Sequence, residues 1–90
     1  MTIAQASAEL RRRSGMSQQA FATELGLAIR TVARYESGAG RRGPRMLVRL
    51  YLAAVEHRQP QLGEIFRRAL CEELGVDTII FGDREGRRSR

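Results

Sequence analysis

Residues 17–38, SQQAFATELGLAIRTVARYESG, read as two short helices either side of a glycine turn. Ser17 can cap the free N–H groups of a helix that runs to Leu25, and Met16 and Phe21 are spaced as a hydrophobic staple across its start. Gly26 follows, and glycine turns at φ > 0 without the Cβ clash other residues suffer. The second helix is predicted from about Ala28 to Ser37, with Gly38 as its left-handed stop. In that geometry Phe21, Leu25, Leu27, Val32 and Tyr35 point inward, and Ala22 is small enough for the helices to approach closely.

Working outward, Thr2 to about Ser14 is predicted as a preceding helix. Thr2 and Gln5 form a capping box, Ile3, Ala6 and Leu10 make an apolar stripe, and Arg11, Arg12 and Arg13 sit where positive charge suits the C-terminal dipole. On the other side, Ala39–Gly43 is a glycine-rich loop with two arginines and no apolar anchor. Pro44 suits the first position of a fourth helix, to about His57. That helix is apolar nearly all round, leaving Arg45, Arg49 and Glu56 to face water, so it should be covered on more than one side. Pro60 opens a fifth helix to about Leu74, where Leu62, Ile65, Phe66, Ala69, Leu70 and Leu74 recur at helical spacing. The segment Val76 to Phe81 has the β-branched content of a short strand. It either meets its twin from another subunit or lies as an extended tail on the core. Residues 82–90 are charged, lack apolar anchors and read as a disordered tail.

Ninety residues make one domain, with a core modest enough to gain from dimerisation or a ligand. Residues 1–58 carry ten arginines and four acidic residues, whereas residues 59–90 carry six of each, so the whole net charge of +6 lies on the first part. A localised positive field is the footprint of a polyanionic partner. No run of 18 apolar residues exists and the N-terminus lacks a signal-peptide pattern. The single cysteine, Cys71, suits a reducing compartment, so the expected location is the cytoplasm. Two helices crossing over a turn of three or four residues form a helix-turn-helix unit, whose second helix enters the DNA major groove.

The order of residues resembles the phage-repressor-like (Cro-like, XRE) helix-turn-helix family. The matching positions are Leu10-Arg11, Gly15-Met16-Ser17-Gln18-Gln19, Phe21-Ala22, Leu25-Gly26-Leu27, Thr31-Val32 and Tyr35-Glu36-Ser37-Gly38, within roughly residues 4–55. The resemblance implies that Ile29, Arg30, Ala33 and Arg34 face base edges. Arg30 would make a bidentate bond to guanine, Ile29 and Ala33 would meet thymine methyls, and Arg34 would reach a base or a phosphate. Gln18 and Thr31 are candidates for phosphates, as are Arg41 and Arg42 in the loop. For Gln18 a helix-capping role is the alternative. The resemblance also implies an ion pair between Arg11 and Glu36. Where the family usually has a capping serine, this chain has Ala28, which leaves the recognition helix without a side-chain cap.

Nothing in the sequence makes a catalytic constellation or metal site. His57 is the lone histidine and sits at a helix end, and Cys71 has no second ligand and reads as a half-buried structural thiol. The expectation is an all-α, five-helix repressor-like helix-turn-helix domain with a short strand-like C-terminal extension, needing no cofactor and not an enzyme. Residues 1–57 would be the DNA-binding core, 58–81 the dimerisation part and 82–90 the tail. The expected function is a sequence-specific transcriptional regulator, a repressor on an inverted repeat. It would act as a homodimer joined through Leu62, Ile65, Phe66, Ile79, Ile80 and Phe81, with help from the fourth helix. The rival readings are an antitoxin that also seizes a toxin protein, and an interaction adaptor that never meets DNA.

Overall fold

Five helices follow one another along the chain: α1 (Ile3–Arg13), α2 (Gln18–Leu25), α3 (Ile29–Glu36), α4 (Pro44–Glu56) and α5 (Pro60–Leu74). The computed structural model describes residues 1–39 and 43–79. The ends of the helices are set by the residues that local chemistry assigns to them. Thr2 accepts from the Gln5 amide at 3.0 Å while the Gln5 side chain accepts from the Thr2 amide at 2.8 Å, a complete capping box. Ser17 caps α2 through the Ala20 amide at 3.1 Å. Pro44 and Pro60 occupy first turns, where a missing N–H costs nothing. Gly75 ends α5 in the left-handed conformation.

The core forms where the apolar stripes meet. Ala6 and Leu10 from α1, Phe21, Ala22 and Leu25 from α2, and Val32 and Tyr35 from α3 are buried together with Leu47, Leu50 and Ala54 from α4. Met16 and Leu27 pack against that cluster from the two inter-helix turns. The most extensive packing is between α4 and α5, and α5 also lies on α1. Gly63 of α5 sits against Ala54 and Tyr51, where a small residue lets the two helices draw together.

This packing revises the expected dimer surface. Leu62 is 3% exposed and Phe66 fully buried, both within the chain's own core, so neither side chain is free to meet a second subunit. Ile65 is only partly buried. Within the chain the fourth helix is covered over only part of its circumference. Leu47, Leu50, Ala53 and Ala54 are covered, whereas Leu52 and Val55 remain 50% and 56% exposed. Residues 76–79 form no strand within the chain, since the other described elements are all helices and offer no strand edge. Ile79 instead packs against the core. Ile80, Phe81 and the expected tail at 82–90 lie outside the described residues, as do Arg41 and Arg42.

Candidate nucleic-acid interface

The turn between α2 and α3 fixes how the third helix is presented. Gly26 adopts φ 72° and ψ 34°, and the Leu27 amide closes back on the Ala22 carbonyl at 2.8 Å. Arg49, reaching across from α4, donates to the Leu25 carbonyl and so caps the end of α2 from outside. A Cβ at Gly26 would lie 2.8 Å from the Arg49 guanidinium and would push that flexible arm aside, while the left-handed φ is what calls for glycine. With the turn held, Val32 and Tyr35 point into the core and the opposite side of α3 faces solvent. Ile29, Arg30, Thr31 and Arg34 are exposed and Ala33 is half-buried. Residues 29, 30, 33 and 34 fall on one side of the helix, as spacing at i, i+1, i+4 and i+5 requires.

The far end of α3 is tied down by a charged cluster. Arg11 of α1 grips Glu36 with two guanidinium nitrogens, Nε at 2.7 Å and Nη2 at 3.3 Å, and donates to the Met16 carbonyl at 3.0 Å. The two side chains are 20% and 10% exposed. Gln18, at the start of α2, donates from Nε2 to the same carboxylate at 3.1 Å. One carboxylate thus joins α1, α2 and α3. The Arg11–Glu36 pair is where the resemblance places it. For Gln18, the structure shows an anchoring bond that is neither the phosphate contact nor the helix cap expected from sequence. The first turn of α3 is looser: Ala28 stands at the N-cap with φ −72° and ψ 147° and offers no side-chain bond.

The distribution of carboxylates explains where the positive field emerges. Glu9 is held by Arg12 and Arg13, which lower its pKa through charge-assisted hydrogen bonds. Glu24 lies 2.7 Å from His57 Nε2, and Glu36 is taken by Arg11. Beyond its place at a helix end, His57 therefore bridges α4 to α2. Among the described residues, Arg30, Arg34 and Arg45 have no carboxylate partner. Beside α3 lies an open hollow of about 680 Å³, lined by Thr31, Arg34, Tyr35, Arg45, Met46 and Arg49 among others, with no acidic residue among the described residues of its wall. Sequence alone gives Arg45 and Arg49 as plain solvent-facing residues. Their i, i+4 spacing just after Pro44 is the available signal, since it puts both on the side of α4 next to α3.

Cys71 is buried, with Arg67 Nη1 at 3.9 Å from its sulfur. Among the described residues no group of three or more His, Cys, Asp or Glu side chains is placed to hold a metal. No described helix is long and apolar enough to cross a membrane.

A helix whose exposed face at residues 29, 30, 33 and 34 carries no carboxylate, presented on a tight glycine turn, is the arrangement of a helix-turn-helix unit in an all-α fold. Residues 8–50, from the second half of α1 to the middle of α4, match the family model described as Helix-turn-helix. Over that stretch the chain is similar to Cro- and XRE-like helix-turn-helix DNA-binding proteins, which supports in general terms a DNA-binding transcriptional regulator. Members of that family are typically not enzymes. No curated protein and no solved structure matches the chain.

Proposed function

We propose that the protein is a cytoplasmic, sequence-specific repressor that binds an inverted-repeat operator as a homodimer, with two copies of α3 in successive major grooves about 34 Å apart. In this reading Arg30 bonds guanine O6 and N7, Ile29 and Ala33 meet thymine methyls, and Arg34 takes a base or a phosphate. Thr31, Arg41 and Arg42 contact phosphates, and Arg45 joins them from α4. Gln18 anchors Glu36 with one amide N–H and turns the other to a phosphate.

The observation that carries the proposal is the pairing pattern. The carboxylates of α1, α2 and α3 are all engaged in internal pairs, and Arg30, Arg34 and Arg45 on the α3 side are not. Arginines left without carboxylates beside an exposed helix favour a polyanion.

The test starts from an operator selected from random duplexes, with binding followed by fluorescence anisotropy. Arg30→Ala should cost about 1–3 kcal/mol at one base pair per half-site and relax specificity there. Arg45→Ala should weaken all sequences alike and lower the salt slope by about 0.9 for each phosphate it no longer neutralises. Selection that recovers no consensus, or an Arg30→Ala protein that keeps full discrimination, refutes the assignment.

A second reading is favoured by one feature. Leu74 and Val76 are 51% and 46% exposed amid Glu72, Glu73 and Asp77, an acidic surface suited to a basic protein partner. An antitoxin would use such a surface on its toxin. A small basic protein co-purifying at fixed stoichiometry favours that reading. The adaptor reading leaves the arginines of α3 without a role.

A further inference from the structure

The outward face of α4 carries charge and apolar surface in an order that complements itself. On a helix, Arg49, Leu52 and Glu56 lie within one narrow stripe at i, i+3 and i+7 that begins at Arg45 beside α3; Arg49 on it is half-buried and reaches α2, and Val55 flanks the stripe. Leu52 and Val55 are 50% and 56% exposed, on a helix whose opposite side is closed in the core. Among the described residues Arg49 has no carboxylate, its one bond going from Nη1 to the Leu25 carbonyl, and Glu56 has no cation. Leu52 helps line an open hollow of about 480 Å³, together with Leu25 and Ala53 and with Glu24, Arg49, Glu56 and His57.

We propose that this face is where a second copy of the chain docks, with the two α4 helices antiparallel about a two-fold axis near Leu52. This rests on the dimer reading above and deepens it by naming the surface. In an antiparallel pair, residues whose numbers share a constant sum lie opposite each other. The sum that sets Arg49 against Glu56 of the other copy also sets Leu52 beside the other Leu52. Two equivalent ion pairs then flank an apolar centre, as an isologous interface requires. The hollow beside Leu52 gives the other copy's Leu52 or Val55 a place to insert. The exposed apolar residues at the end of α5 do not compete for this role. A two-fold axis there would bring Glu72, Glu73 and Asp77 towards their own counterparts, and like charges across an interface repel.

The test is sedimentation equilibrium of the full chain over a concentration series, with circular dichroism to confirm folding. Wild type should dimerise, more weakly as salt rises. Arg49→Glu and Glu56→Arg should each weaken self-association roughly tenfold or more, because each puts like charges opposite one another. An equimolar mixture of the two variants should restore the dimer. In the mixed pair the glutamate introduced at position 49 faces the arginine introduced at position 56, and native Arg49 faces native Glu56. A merely structural role for either residue would not produce that rescue. Arg49→Glu also removes the bond to Leu25, so Val55→Glu, on an exposed position, serves as the independent variant and should also give monomer. If the variants all remain dimeric, the surface is wrong and the dimer reading stands. If wild type is monomeric both free and on its operator, the dimer reading itself fails. If the single variants dissociate and the mixture does not re-form, the proposed register is overturned.

Discussion

Replacing Glu36 by alanine removes the one carboxylate shared by three helices. Arg11 would be left with 20% of its side chain exposed, its bond to the Met16 carbonyl intact, and no anion. Removing one partner of a fully buried pair costs about 3–5 kcal/mol, most of it the penalty on the charge left behind. Here water reaches the guanidinium in part, so the loss should fall at or below the bottom of that range, about 2–3 kcal/mol including the bond from Gln18. A domain of this size holds on the order of 5–10 kcal/mol in all. The expected fall in Tm is therefore roughly 10–20 °C.

Thermal and urea denaturation followed by circular dichroism measure the loss, and two further variants show its origin. Arg11→Met with Glu36→Leu removes both charges and should recover most of the stability, because no ion is left unpaired. Gln18→Ala alone should cost only about 0.5–1.5 kcal/mol. If Glu36→Ala costs less than about 1 kcal/mol, the pair behaves as a solvent-screened surface pair, and its role as a three-helix anchor is refuted.

Three other perturbations bear on the same architecture. Gly26→Ala should lose about 2–3 kcal/mol in denaturant titrations, from the left-handed φ and from displacement of Arg49 off the Leu25 carbonyl. Ala28→Ser should raise stability by about 1 kcal/mol, since the N-cap backbone is already in the extended conformation that a serine cap uses; an unchanged midpoint would mean the new hydroxyl finds no amide. The Glu64 carboxyl is lowered from 4.5 to about 2 by hydrogen bonds first from Arg67 and then from Arg68. A depressed carboxylate stabilises the fold above its unfolded pKa, and that contribution is lost as pH falls through the folded one. Wild type should thus lose more stability than Glu64→Gln between pH 4.5 and about 2, in acid titrations followed by thermal melts.

Much of the fold is legible in the sequence because much of it is local. The capping box at Thr2 and Gln5, the cap at Ser17 and the turn at Gly26 depend on neighbours within a few residues, and each stands where local chemistry puts it. What sequence does not reveal is the identity of the partner across a packed face. The spacing of Leu62 and Phe66 says that they are buried, but the same periodicity serves an intramolecular helix and a second subunit equally well. In the fold both side chains belong to the chain's own core, and the dimer expectation fails at those two positions. Of the two readings of residues 76–81, the described part, 76–79, is not a strand within the chain and Ile79 packs on the core, because β-branched content reports a preference for a packed surface and cannot create a neighbouring strand. The bonds from Gln18 to Glu36, Arg49 to Leu25 and His57 to Glu24 join residues 18, 24 and 33 positions apart, beyond any local pattern.

Those long-range bonds also explain how a small domain separates holding from reading. In the helix-turn-helix half, the acidic groups of α1, α2 and α3 are turned to internal use: Glu9 closes α1, Glu24 meets the end of α4, and Glu36 collects α1 and α2 onto α3. Each internal pair takes one negative charge away from the surface that α3 presents. The arginines at 30, 34 and 45 then act without nearby carboxylates, at an ionic strength where exposed charges beyond about 8–10 Å are screened. Local pairing, not the net charge of +6, thereby determines which face draws a polyanion. A single added carboxylate at Ala33, in Ala33→Glu, should therefore weaken DNA binding more than the same charge placed at Gln61 on the first turn of α5, although both variants have the same net charge. Equal losses in the two proteins at physiological salt would show that total charge governs binding and that the pairing pattern does not.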